Sequence, residues 1–411
     1  MNRLWTRVFV IAAGILLLLF LSNDFGLIDI QKTAIVAAIV IDAAEEGGNV
    51  NVTAQIAVPD ASGANKAGNV TIRNARTVGE AMAEINRKTG WYPTLVHCRL
   101  IVLGEDAAEE DVFDALNYFL RSEFVEDSCL VAMCEGTAED LFSAKSPIGE
   151  MTALAVAKVL SSEAQKTGLV CVTNLRDFAK GYYSPSSSGF LPMLSVMQEA
   201  ESEGGQGGQT AFGPAEGGEG VACATEGGQG QGKSGAQNAA DVFDASRTVL
   251  FYRGRRADVL EAGETLAFNL TDTPTDFAYG DVQIVEDGET VFYNLRIRIE
   301  SKKAELSLDG GAPVLTFRVR ANAQIADASR ASGVVEIAKT AFVPDFVLRA
   351  AEETFRRRLE SALAKASAGN CDLFGLRQQL HRRYPAQEER FSPTLLQDVK
   401  AVYDIRFDTV R

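Results

Sequence analysis

Residues 95–134 read LVHCRLIVLGEDAAEEDVFDALNYFLRSEFVEDSCLVAMC, and this stretch decides the fold of the first part of the chain. Leu95–Leu103 is a nearly continuous apolar run, as expected of a strand covered on both faces. Val112, Phe113, Leu116, Phe119 and Leu120 then recur at helical spacing and predict an amphipathic helix. Cys129–Cys134 returns as a second apolar strand. A strand, a helix and a strand joined by short links form a crossover, so the two strands are expected to be parallel. Cys129 and Cys134 are expected to face opposite sides of their strand and not to pair.

Outward from this unit, Ala34–Ile41 (AIVAAIVI) is another strand of the doubly covered kind. Gly47-Gly48 turns the chain into Val50–Val58, whose alternation predicts a half-buried strand. Thr77 and Glu80 form a capping box for a helix with Val78, Ala81, Met82 and Ile85 on one face, closed by Gly90. Residues 137–197 read as mostly helical, with Asn174 capping Leu175–Tyr182 and an irregular stretch at SPSSSGFLP. Residues 198–240 hold thirteen glycines and six glutamates against one lysine. Such a segment buries too little apolar surface to offset its ordering entropy and is expected to be a disordered linker.

Beyond it, strands are predicted at Thr248–Tyr252, Val282–Ile284, Tyr293–Ile299, Leu315–Ile325 and Tyr403–Phe407. Their alternation predicts an antiparallel sheet with one wet face. A helix from Asp345, as N-cap, to Ala366 supplies the cover and ends at Gly369-Asn370. A second helix over Leu373–Tyr384 stops at Pro385. The fold class is therefore α+β, or mixed α/β, with mixed sheets covered by helices. The expected domains are 24–197 and 241–411, the latter with two subdomains as an option, joined by the linker 198–240.

Residues 8–21, VFVIAAGILLLLFL, form an uncharged run preceded by Arg3 and Arg7 and followed by Asp24 and Asp29. A transmembrane helix needs about 20 apolar residues, and Trp5 and the snorkelling stem of Arg7 extend this one. Residues 1–23 are read as a retained membrane anchor or a signal, and the shortage of small residues after Leu21 favours the anchor. The charge asymmetry places the remaining chain, as an ectodomain, outside the cytoplasm.

The net charge of −15 argues against nucleic acid, whose phosphates need a basic surface, and against docking on anionic lipid. Cysteines 98, 129, 134, 171, 223 and 371 are scattered and read as buried free thiols, with a disulfide as the alternative. Residues 227–234, GGQGQGKS, match the P-loop expression. They lack the strand before and the apolar helix after that a phosphate cradle needs, so no nucleotide is expected. His97 reads as a core histidine within its strand and His381 as a helix-end cation. Glu109/Glu110 and Glu352/Glu353 read as first-turn acids, and Arg296, Arg298, Arg318 and Arg320 as a solvated sheet face. No catalytic, cofactor-binding or metal-ligating residue is assigned.

The chain resembles the Ger(x)C family, the C subunits of bacterial spore germinant receptors. The resemblance lies in AIVAAIVID with VNVTAQIAVPD, in residues 76–142 from RTVGEAMAEINRKTGWYP to GTAEDLF, and in RRADVLEAGETLAF. Most telling is CDLFGLRQQLHRRYP at 371–385, before a final amphipathic strand. The resemblance implies a non-enzymatic accessory subunit at the outer face of the spore inner membrane or cell membrane. Its implied partners are two polytopic subunits, and its implied role is in nutrient-triggered germination. Family members typically carry a lipid on a cysteine after the apolar run. No cysteine stands near Asn23-Asp24, so the helix would replace the lipid. The alternatives are an anchored extracytoplasmic ligand-binding protein unrelated to germination, and a tethered hydrolase.

Overall fold

The structure is a computed structural model and describes residues 5, 7, 9–16, 33–45, 47–59, 65–144, 151–198, 241–286, 288–330, 333, 334 and 342–409. Two sheets organise them. The first opens with β1 (Thr33–Ala43), β2 (Val50–Pro59) and β3 (Asn65–Ala75), paired antiparallel in that order. Helix α1 (Val78–Thr89) runs back along the sheet, and β4 (Tyr92–Thr94) and β5 (Leu100–Leu103) then lie parallel to β1. Helix α2 (Val112–Arg121) leads to β6 (Leu130–Cys134), parallel to β5 with Leu100 beside Leu130. The crossover read from residues 95–134 is thus present. Its first strand is shorter than expected, because the chain turns where Cys98 N–H closes on Leu95 O at 2.9 Å. His97 is consequently an exposed turn residue and not a core histidine.

Four short helices follow: α3 (Ala138–Ser143), α4 (Thr152–Val159), α5 (Ser162–Lys166) and α6 (Leu175–Tyr182), the last capped by Asn174. The helical reading of 137–197 fails at its end. SGFLPMLSVMQ is strand β7 (Ser188–Gln198), parallel to β6. Across residues 199–240, β7 pairs antiparallel with β8 (Asp241–Tyr252), from Gln198 beside Asp241 to Ser188 beside Tyr252. Arg253 and Gly254, with φ of 52° and 74°, make the two-residue turn to β9 (Arg255–Leu260), where left-handed conformations match the strand twist. The strand order is β3-β2-β1-β5-β6-β7-β8-β9, with β4 beside β1.

The expected boundary between 24–197 and 241–411 therefore does not separate the sheets. β7 has backbone groups to satisfy along its second edge, and β8 supplies their partners. Most of the expected linker, and the P-loop lookalike within it, lies outside the described residues. Its two flanks are nevertheless in register with each other, with Gln198 beside Asp241.

The second sheet follows α7 (Ala262–Thr271), a helix buried from Glu264 through Thr271. It contains β10 (Phe277–Glu286), β11 (Glu289–Asp309), β12 (Ala312–Arg330) and the short β13 (Gly333–Val334), all antiparallel neighbours. Helix α8 (Asp345–Ala368), α9 (Leu376–Arg383), α10 (Glu388–Phe391) and α11 (Leu395–Asp398) lead to β14 (Lys400–Thr409). β14 lies parallel to β12, so this sheet is mixed where an antiparallel one was expected. The helices form a crossover between the two strands, and a crossover returns the chain in the same direction. The wet face is as read: Tyr293, Leu295, Ile297, Phe317, Val319 and Ala321 are buried, while Arg296, Arg298 and Arg318 are exposed. Asp345 is the first helical residue of α8 and Pro344 holds the cap position.

Cores fill both faces of the first sheet. Ile39, Ile101 and Met133 lie on one face with α1 and α2, and Val40, Val102 and Leu194 on the other with α3 and α4. Cys129 and Cys134 fall on opposite faces as expected. A third core joins α7, α8 and the second sheet, and takes in Cys171, Leu250 and Leu260 of the first sheet's side. Residues 9–16 of the expected anchor are helical, with Phe9, Val10, Ile11, Ile15 and Leu16 exposed. The rest of that run, apart from residues 5 and 7, lies outside the described residues. Among the described residues no helix is long and apolar enough to cross a membrane.

Candidate functional site: the clasp between the two sheets

Residues 371–377, CDLFGLR, turn the chain from α8 into α9, and they do so against β7 and β8. The turn needs two left-handed residues, Asn370 at φ 54° and Gly375 at φ 62°, which asparagine and glycine adopt at least cost. Gly375 at the α9 cap position has no side chain to satisfy the first-turn N–H groups. Asp372 does this from outside: Oδ1 accepts from Leu376 N at 2.6 Å and Oδ2 from Arg377 N at 2.8 Å. Oδ2 also accepts from Ser186 Oγ at 2.5 Å, while Asp372 N donates to Ser188 Oγ at 2.9 Å.

Asp372 and Arg377 are only 5% and 7% exposed, so these bonds form away from water. The Arg377 guanidinium donates to Ser186 O at 3.3 Å and Asn370 Oδ1 at 2.7 Å, and lies 5.8 Å from the centre of the Tyr252 ring. Burial pushes the Cys371 thiol up to about 12, and its sulfur rests against Gly189 O. A second tie lies nearby in the chain. Burial raises the Glu264 carboxyl, but Lys365, Ser361 and Glu261 N–H together hold it below the usual carboxylate range. Lys365 Nζ reaches Glu264 at 2.7 Å and Val259 O at 2.9 Å, fastening α8 to α7 and β9. What the arrangement does is structural: short, buried, charge-assisted bonds fasten the turn between α8 and α9 to the chain leading into β7.

Ligands of open α/β sheets settle beyond the carboxyl ends of the parallel strands. Here the protein's own groups fill that place. Asp42, at the end of β1, accepts from Ala138 N at 2.6 Å and Glu139 N at 3.1 Å, where a bound anion would otherwise meet α3. Gly104 permits this approach, since a Cβ there would overlap the Asp42 carboxylate. Burial raises the Asp42 carboxyl above its usual range despite those two N–H groups. Glu105 pairs with Arg256 at 2.5 Å and takes Gly136 N at 3.1 Å, and Glu135 pairs with Arg247.

The residues singled out by sequence do not converge. His97 lines a surface cavity of about 520 Å³ with Cys98, Cys129 and Asn174. The neighbouring Cys98 thiol and burial push the Cys129 thiol up, and burial does the same to Cys134 and Cys171. A protonated thiol is neither nucleophile nor metal ligand. His381 Nδ1 sits 2.7 Å from Glu388 at the end of α9. Glu109 and Glu110 lie in the bend before α2 rather than in a first turn, and Glu352 accepts from Phe407 N at 2.8 Å. Arg318 pairs with Glu305, Arg320 with Asp404, and Arg296 lies over Phe277. Among the described residues no three His, Cys, Asp or Glu side chains cluster as metal ligands. The clasp partners Ser186 and Ser188 were missed because the serine-rich stretch reads as irregular.

Two family models match the chain, and the boundary between them falls between β7 and β8 of the first sheet. The family model described as the spore germination protein N-terminal domain matches residues 27–196. The model described as spore germination B3/GerAC like, C-terminal, matches residues 246–408. No curated protein matches the chain. Among solved structures, the crystal structure of the GerBC protein aligns over 91% of this chain and 97% of that one, with 15% identity and a TM-score of 0.46.

Proposed function

The chain belongs to the GerAC-like family of spore germination proteins, and from that premise we propose that it is the C subunit of a nutrient germinant receptor. It acts as a non-enzymatic accessory subunit at the outer face of the membrane, held there by the apolar run at residues 8–21. It works beside two polytopic subunits. The observation that carries this reading is the ordered match of both family segments, which between them take in both sheets and the clasp. A subunit of this kind acts only through contact energies that differ between receptor states. The buried bonds of Asp372 and Arg377 support such a role, because they fasten the helices that cover the second sheet to the chain leading into β7 of the first.

Deletion of the gene tests the proposal. Spores without the chain should stop responding to the nutrient while still germinating after mechanical or enzymatic breach of the cortex. Purification of the full chain through an affinity tag should bring down two polytopic proteins. Normal nutrient response in the deletion strain refutes the assignment.

A further inference from the structure

The sheet has two ends, and the chain enters β1 at only one of them. α1 and α2 both run toward that end, because each follows a strand that finishes at the other. It therefore gathers the start of β1, the loop at residues 90–99 and the loop after α2. Four large apolar side chains stand exposed there: Trp91 at 41%, Tyr92 at 43%, Val96 at 44% and Phe124 at 50%. Thr33, Tyr92, Leu95, Tyr118 and Phe124 line a cavity of about 260 Å³ between them. The last helical turns add cations, Arg87 and Lys88 on α1 and Arg121 on α2. Glu84 offsets two of them through ion pairs at 3.0 Å.

We propose that this edge, with Trp91, Tyr92 and Phe124 at its tip, seats in the headgroup layer of the bilayer. The inference rests on the anchor reading above. Thr33, at the start of β1, is in register with Tyr92. The apolar run ends at Leu21, and the twelve steps from there to Thr33 span at most about 40 Å even when fully extended. The edge is thus the end of the first sheet at which the chain arrives from the apolar run, within about 40 Å of it, and β1 carries the rest of that sheet away from this end. Tryptophan and tyrosine rings favour the interface between headgroups and hydrocarbon, and flanking arginine and lysine reach the phosphates. The mixed signs of charge suit zwitterionic lipid, in a chain whose net charge of −15 disfavours anionic lipid.

The chain has two tryptophans, so Trp5→Phe leaves Trp91 as its single reporter. The full-length variant is reconstituted into phosphatidylcholine vesicles, with and without lipid brominated near the headgroup, and floated on a density gradient. Trp91 emission should fall at least two-fold with the brominated lipid and should be shielded from aqueous iodide. Phe124→Trp in a Trp5→Phe, Trp91→Phe background should behave alike. Glu45→Trp in that background marks the far end of β1, about 35 Å away at ~3.3 Å per residue, and should be quenched by iodide alone. A chain that floats with Trp91 open to iodide and unquenched by lipid overturns this assignment alone. That result would point to a protein partner on the edge. A chain that does not float overturns the anchor reading and this assignment with it.

Discussion

Replacing Asp372 by alanine tests whether the clasp holds the two sheets together. The carboxylate accepts from Ser186 Oγ, Leu376 N and Arg377 N, at 2.5, 2.6 and 2.8 Å. Its removal leaves the Leu376 and Arg377 N–H groups, the buried first-turn donors of α9, unsatisfied at about 1–3 kcal/mol each. The Ser186 hydroxyl can rotate to another acceptor, so the sum is about 3–4 kcal/mol. Taking about 2–4 °C per kcal/mol for a cooperative unit of 150–250 residues, the melting temperature should drop by roughly 10 °C. Asp372→Asn keeps the acceptor for Leu376 N but turns an amide N–H toward Arg377 N, and should lose about half as much. Ser186→Ala should lose about 1 kcal/mol. Differential scanning calorimetry of the full chain reads all three. An Asp372→Ala protein that melts within about 2 °C of the parent would falsify the clasp argument.

Lys365→Met should destabilise by about 3 kcal/mol, because Glu264 keeps its charge in a buried place without its cation. Without Lys365 the Glu264 carboxyl should move upward, so the variant should lose less stability than the parent as pH is lowered toward 5. A urea titration at two pH values checks this. Glu305 is held at about 2 by Lys303 and Arg383. Its contribution is therefore present above the unfolded value and fades as pH falls from 4.5 toward 2. Glu305→Gln should flatten that part of the acid melting curve by about 1–2 °C, the small size of an exposed pair, and 1 M salt should erase the difference. Proteolysis within residues 199–240 should leave two fragments that still co-elute on gel filtration, because β7 and β8 remain paired. Separation into two folded pieces would contradict the shared sheet.

The candidate site was only half visible beforehand. CDLFGLRQQLHRRYP carries the resemblance, yet nothing in its spacing shows that Asp372 faces Ser186, 186 residues away in sequence. The aromatic edge was hidden for a similar reason. Trp91 and Phe124 stand 33 positions apart, and only the return of α1 and α2 to the same end of the sheet brings them together.

What the sequence determined by itself was local. Periodicity placed α2 and the wet face of β11 and β12, since a 3.6 or 2.0 repeat is written in consecutive residues. Thr77 announced α1, although Glu80 accepts from Arg76 N rather than closing the box on Thr77. The tertiary structure decided pairing. The buried α7 shows no amphipathic stripe, because it is covered on all sides. β7, buried on both faces from Leu191 to Leu194, has no alternation to show, and it pairs with β8 across residues 199–240. β14 chose to lie parallel to β12 because the α8–α11 crossover returned it so. Hydrogen bonds between strands join whatever edges the fold brings side by side, and composition between those edges does not say which will meet.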